Sequence, residues 1–186
     1  MSRRIRRITI ALGCLTVFGH SFVIGQTNDI KSLSVGSIAP TFYLQDLEGN
    51  EIFLSELVGQ PLVQLRKKSN QRTLILSFFA TWCVPCKAEL PELERIYNEN
   101  LNSNLSVFLI DVQENEEMVG TFLQSLNLSL PVLMDKYGII AEKYGVVSLP
   151  MLFIIDKDGI VRFISREFKG AEEFREKISE ALSQLL

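Results

Sequence analysis

Two stretches of the chain are apolar almost without interruption. TLILSFFA (residues 73–80) and LSVFLIDV (residues 105–112) lack the polar alternation of a half-exposed strand, so both read as central strands covered on both faces. The residues ahead of them do alternate. In IAPTFYLQDLEGNEIFLSEL, Phe42 and Leu44 precede a turn at Glu48-Gly49-Asn50, and Ile52 and Leu54 alternate again, which predicts a β-hairpin. After each central strand the period changes. Leu90, Leu93, Ile96 and Tyr97 lie at helical spacing and predict a helix from Cys83 to about Asn100, kinked at the internal Pro91. Residues 115–127 predict a second helix, with Met118, Phe122, Leu123 and Leu126 on its inner face.

Residues 131–134 read as a short strand and residues 136–144 as a short helix. MLFIID and IVRFIS flank Asp156-Lys157-Asp158-Gly159, a strong hairpin signal. AEEFREKISEALSQLL closes the chain as an amphipathic helix, with Phe174, Ile178, Ala181, Leu182 and Leu185 toward the core. The order is hairpin, strand, helix, strand, helix, strand pair, helix. It predicts an α/β sandwich with a mixed central sheet, parallel crossovers first and an antiparallel hairpin last. Two stretches break the pattern. Residues 26–36 read as a polar linker. Residues 60–72 (QPLVQLRKKSNQR) read as an exposed loop, and Arg66, Lys67 and Lys68 suit a solvated face better than a binding patch. There is no internal repeat.

Charge changes the picture at the N-terminus. Arg3, Arg4, Arg6 and Arg7 precede a mostly apolar run, ITIALGCLTVFGHSFVIG, and no acid occurs before Asp29. Four arginines have no place in a core, so residues 1–25 read as a signal peptide or N-terminal membrane anchor. Val23 and Gly25 suit a cut before Gln26, and cleavage is the favoured reading. A lipoprotein site at Cys14 and a twin-arginine signal at Arg3-Arg4 are weaker alternatives. Each version delivers residues 26–186 outside the cytoplasm, to the periplasm or the outer face of the inner membrane, where disulfides persist. The formal net charge of −3 becomes about −7 without the leader, so nothing in the body suits nucleic acid. At 186 residues and 47% hydrophobic content, the chain holds one domain with its own core plus an appendage.

The chemistry centres on FATWCVPCKAELP (residues 79–91). Of three cysteines and one histidine, Cys14 and His20 lie in the leader, so the body holds Cys83, Cys86 and no histidine. Two ligands are too few for structural zinc, and haem attachment needs histidine where Lys87 stands. A histidine-assisted thiol hydrolase has no base of the usual kind. As a staple, a bridge between residues three apart removes little unfolded-state entropy. The redox reading has a mechanism. Cys83 stands where a strand passes into a helix, and the unpaired N–H groups and dipole there stabilise a thiolate. Cys86, one turn on, attacks the mixed disulfide formed at Cys83. Pro85 stiffens the loop. Trp82 either shields one flank of the pair or is ordinary core.

With these residues in place, the chain resembles the thioredoxin superfamily, in its exported TlpA/ResA-like branch with a redoxin (AhpC/TSA-like) domain. The resemblance covers about residues 36–186. Gly36-Ser37-Ile38-Ala39-Pro40 with Phe42 is similar to a stretch shared with peroxiredoxins. Phe79 to Lys87, Glu89 and Pro91 are similar to the active-site block. Tyr144-Gly145-Val146, Leu149-Pro150, Phe153-Ile154-Ile155-Asp156 and Asp158-Gly159 are similar to the family's cis-proline region. The resemblance implies a thioredoxin-like three-layer sandwich over residues 37–186, its mixed sheet flanked by helices, with an N-terminal β-hairpin extension. It implies that Pro150 is cis beside the cysteines, and that a substrate segment pairs along Leu149. Glu89 is a candidate proton acceptor for Cys86, with an exposed helix carboxylate as the plain alternative. Thioredoxin's buried aspartate is here Ser77. Residues 60–72 and Met151 depart from the pattern and bear on substrate contact.

The function expected is an exported thiol-disulfide oxidoreductase with protein thiol or disulfide substrates. The expected direction is reduction of extracytoplasmic proteins such as apocytochrome c. A membrane thiol carrier is the expected electron donor, and the Cys83–Cys86 disulfide stands in place of any cofactor or metal. A membrane is met only through an uncleaved leader. Two alternatives are kept. One is a peroxiredoxin-like peroxidase, against which the spacing of Thr81 and the leucine at position 76 argue. The other is a non-catalytic thioredoxin-like adaptor.

Overall fold

The computed structural model describes residues 33–59 and 71–186. The leader of residues 1–25 and most of the basic loop lie outside the described residues. Seven strands form one sheet in the order β2-β1-β5-β4-β3-β6-β7. They are β1 (Tyr43–Asp46), β2 (Glu51–Phe53), β3 (Thr73–Phe79), β4 (Leu105–Val112), β5 (Val132–Asp135), β6 (Met151–Ile155) and β7 (Val161–Ser165). The helices are α1 (Leu54–Leu57), α2 (Val84–Glu99), α3 (Glu116–Leu126), α4 (Ile139–Lys143) and α5 (Ala171–Ser183). β3, β4 and β5 run parallel, and β1, β6 and β7 pair antiparallel with their neighbours.

Every residue of β3 is buried, as its unbroken apolar sequence requires. Its two faces supply two cores. Ile75 and Phe79 pack with Leu90 and Leu93 of α2, Phe122 of α3 and Ile178 of α5. Leu74, Leu76 and Phe78 pack with Leu54 of α1 and Tyr144, which follows α4. The result is the expected three-layer arrangement with a hairpin extension. Near the start of the described chain, Leu33 packs on the second core and the Gly36 N–H donates to the Val161 carbonyl at 2.8 Å.

Two details differ from expectation, while α2 spans Val84–Glu99 with Pro91 inside it, as expected. α1 is a single helical turn where the alternation through Leu54 reads as strand. In α3 the inner stripe is Val119, Phe122 and Leu123, with Met118 half exposed. The reason is local: Asn115 caps the helix by accepting the Met118 N–H at 2.9 Å. From that start, Val119, Phe122, Leu123 and Leu126 follow the inward spacing better than Met118 does.

The pairing of β3 with β6 places the chemistry. Phe78 lies opposite Met151. The residues just before β6 therefore stand where β3 runs out into the Cys83 turn. The two ends of the 60–70 segment emerge at the other end of β3, where the Gly59 N–H donates to the Lys157 carbonyl and the Arg72 N–H to that of Leu57. Glycine is required at that turn. Gly159 has φ +80°, and a Cβ there would meet the Gly59 carbonyl oxygen at 2.3 Å.

Candidate active site

Cys83 is the N-cap of α2, in extended backbone just outside the first helical residue. Its Sγ accepts the Cys86 N–H at 3.2 Å, one of the donors a helix leaves unpaired at its start. The two sulfurs are bonded to each other, with the Cα atoms 5.2 Å apart. Pro85 sits in the first turn, where its missing N–H costs nothing. Cys86 is fully buried, and Cys83 keeps 3% of its surface between two exposed neighbours, Trp82 and Val84. Trp82 is 69% exposed, which removes the core reading. It lines a shallow groove of about 550 Å³ with Glu114, Met118 and Lys136.

Glu89 lies one turn beyond Cys86 on the same face of α2 and is 1% exposed, so the exposed-carboxylate alternative is overturned. Its Oε1 accepts one hydrogen bond, from the Ser77 hydroxyl of β3 at 2.7 Å. Burial pushes the Glu89 carboxyl up to about 7, and the Ser77 hydroxyl only partly opposes it. Ser77 cannot act as a base, and its hydroxyl holds the Glu89 carboxyl in place.

The peptide bond from Leu149 to Pro150 is cis. Pro150 is buried and Leu149 half-buried, its side chain touching both cores. Met151 is 2% exposed and packs in the second core, so its side chain is not presented to a substrate, contrary to expectation. The structure thus gathers Trp82, Cys83, Pro85, Cys86, Glu89, Leu149 and Pro150 at one end of β3.

It also brings in residues that the sequence reading missed. The Glu114 carboxylate accepts the Thr81 N–H at 2.5 Å and the Thr81 hydroxyl at 2.6 Å. Behind it, Asp111 of β4 is fully buried and accepts the Glu114 N–H at 3.1 Å. The Asp111 carboxyl is pushed up to about 8, first by burial, then by its contact with Glu114 and the charges of Glu114 and Asp135. The only sequence signal was a pair of acids at the outgoing end of a buried parallel strand, the edge where such sheets carry their sites. Among the described residues, no group of three or more His, Cys, Asp or Glu is placed to hold a metal ion.

The chain is similar to known proteins. The AhpC/TSA family model matches residues 35–164. The thiol-disulfide oxidoreductase ResA of Bacillus thuringiensis subsp. konkukian is 31% identical over 184 residues, covering 99% of this chain and 97% of its own. ResA of Bacillus subtilis is 31% identical over 160 residues, covering 84% and 83%. A crystal structure assigned to a thiol:disulfide interchange protein DsbE from Chlorobium tepidum superposes with a TM-score of 0.71 at 23% identity, covering 83% of this chain and 99% of that one. A thiol-disulfide oxidoreductase from Bacteroides fragilis superposes with a TM-score of 0.63 at 23% identity, covering 81% and 100%. At such identity the superpositions show the fold, and the full-length relatives show the chemistry. The chain belongs to the AhpC/TSA family of the thioredoxin superfamily, in its ResA-like branch, and is a thiol-disulfide oxidoreductase.

Proposed function

We propose that this oxidoreductase works outside the cytoplasm as a reductant of protein disulfides, with Cys83 as the attacking sulfur and Glu89 as the proton acceptor for Cys86. One observation carries the reading: a buried carboxyl titrating near neutrality, one helical turn behind the inner cysteine of a helix-capping pair. In the reduced enzyme the Cys83 thiolate attacks one sulfur of a substrate disulfide. The substrate S–S bond breaks, a mixed disulfide forms, and the other substrate sulfur leaves as a thiolate that takes a proton from water. Cys86 passes its proton to the Glu89 carboxylate and attacks the Cys83 sulfur. The mixed disulfide breaks, the second substrate thiolate leaves, and it takes up the proton from Glu89. Two electrons have moved, leaving the Cys83–Cys86 disulfide and a reduced substrate.

Trp82 and the Leu149-Pro150 edge are the substrate contacts in this reading. Leu149 offers backbone to an added strand, and Trp82 offers an exposed aromatic face. Disulfides of exported proteins, apocytochrome c among them, are the substrates proposed. A membrane thiol carrier supplies electrons, and no bound cofactor is needed. The arginine-rich leader is what supports export. The peroxidase alternative gains nothing from the site, since the Thr81 hydroxyl is committed to Glu114.

The test is the reduction potential of the Cys83–Cys86 couple in residues 26–186, equilibrated against glutathione and dithiothreitol. A value near or below roughly −270 mV, that of thioredoxin, is expected. A value near roughly −120 mV, that of the oxidant DsbA, makes the protein a disulfide donor and overturns the proposed direction. Roles are read by trapping: Cys86→Ser accumulates mixed disulfides with protein partners and Cys83→Ser does not. Retention of function by the doubly substituted protein would instead show an adaptor.

A further inference from the structure

Asp111 is an acid that the exchange chemistry does not use, and it is poorly served. It follows Val107 and Leu109 at alternate positions of β4, on the face covered by α2 and α3. Its Oδ1 takes the Glu114 N–H. Its Oδ2 is buried without a hydrogen-bond partner. Glu114 gives both carboxylate oxygens to one residue, holding the N–H and the hydroxyl of Thr81. Thr81 is two residues before Cys83. Two links therefore join an orphaned buried oxygen to the turn that carries the reactive sulfur.

We propose that Asp111 is a positioning residue for thiol–disulfide exchange: it holds a proton, donates it as a hydrogen bond to Glu114, and so fixes the Glu114 carboxylate against Thr81 and the Cys83 turn. Such a contact requires the proton. Two ionised carboxylates offer each other only acceptors, whereas a protonated one supplies the missing donor. The orphaned Oδ2 is then satisfied, and both Glu114 oxygens stay on Thr81.

The surroundings favour that proton. Asp111 lies across from Phe79 of β3 and Met134 of β5, neither of which titrates. The charged groups acting on it are Glu114 from its own loop and Asp135 from the end of β5, both acids. Nearby cations are engaged elsewhere. The Lys87 amine of α2 stands over the Phe122 ring, and Lys136 pairs with Glu116 of α3. Burial and like charge therefore hold the Asp111 proton beyond the usual carboxylate range. Above the pH at which it leaves, adjacent anions repel and the hold on Thr81 loosens.

The experiment uses the oxidised protein, in which no thiol of the pair titrates, so it stands apart from the roles given to Cys83 and Cys86. The Thr81 amide and the Asp111 carboxyl carbon are followed by NMR from roughly pH 6 to roughly pH 9.5, below the range of ordinary tyrosines. Both are expected to shift in one shared alkaline step. Asp111→Asn keeps a donor and cannot ionise, so the Thr81 amide is expected to stay at its low-pH position throughout. A Thr81 step that persists in Asp111→Asn, or no step in the unsubstituted protein, overturns the proposal. A kinetic arm rests on the exchange reading. The rate of disulfide reduction by dithiothreitol in Asp111→Asn, divided by that of the unsubstituted protein, is expected to rise about threefold or more between roughly pH 6.5 and pH 9. A ratio independent of pH overturns the positioning role.

Discussion

At the β6–β7 turn a buried carboxylate holds three partners; beneath the disulfide two hold one each. Asp156 is 6% exposed. Its Oδ1 accepts the N–H groups of Asp158 and Ile160, and its Oδ2 accepts the Arg162 guanidinium at 2.6 Å. Glu89 has one hydroxyl and Asp111 one backbone N–H. Protein interiors normally satisfy buried polar atoms, so the shortfall is informative. The turn uses its acid as a fixed anchor, with the charge neutralised in place. At the candidate site, burial pushes both acids up from the usual carboxylate range. All three acids are buried, and they differ in the number of partners they hold.

Substitutions sharpen that contrast. The largest effect belongs to the sulfur itself: Cys83→Ser is expected to lower disulfide exchange at least about a thousandfold, read with a fluorescent disulfide substrate. Glu89→Gln separates work from stability. Exchange at neutral pH is expected to fall by about a hundredfold, the usual scale for losing a proton acceptor. Stability should move the other way. The folded state keeps the Glu89 proton up to about pH 7, and a solvent-exposed glutamate keeps it only to about 4.5. The stability linked to that proton is thus full below about pH 4.5 and is lost as pH rises through about 7. Glu89→Gln, which never ionises, should be more stable by up to about 3 kcal/mol near pH 8 and no more stable near pH 4, measured by urea denaturation. An unchanged stability at pH 8 would place Glu89 with Asp156 as an anchor.

Asp156→Ala is the reciprocal case. It leaves two turn N–H groups and Arg162 without their acceptor, and should cost about 2 kcal/mol while exchange changes less than twofold. Trp82→Ala is the smallest. With most of its surface in solvent, it should alter stability by no more than about 0.5 kcal/mol. Exchange with protein substrates should fall roughly fivefold, and exchange with dithiothreitol by less, if the indole is a contact worth about 1 kcal/mol.

The contrast also marks what could be read from the chain alone. β3, β4, α2 and the hairpin at Asp158-Gly159 were legible because each depends on neighbours within about ten residues and on burial of apolar side chains. The cysteine pair was legible because its partners lie in the same helix turn. Glu89 was visible as a candidate, but its burial was not, since that depends on Ser77 twelve positions earlier. Asp111 and Glu114 were passed over because the Thr81 that Glu114 holds lies 33 residues from it, and only the register of β3 on β4 joins the two strands. Met118 reads as inward by its apolarity, whereas Val119, at helical spacing with Phe122, Leu123 and Leu126, takes the inner position.

The separation of only three residues between Cys83 and Cys86 has a thermodynamic consequence. Because the bridge closes so small a loop, opening it changes the unfolded chain little, and the unfolded couple acts nearly as a short peptide would. Folding and electron transfer then form a closed cycle. The difference in unfolding free energy between oxidised and reduced protein equals the difference in potential between the unfolded and folded couple. For two electrons, about 30 mV corresponds to about 1.4 kcal/mol. In an oxidoreductase of this kind, whichever folded form is the less stable carries the driving force, and two melting curves are enough to weigh it.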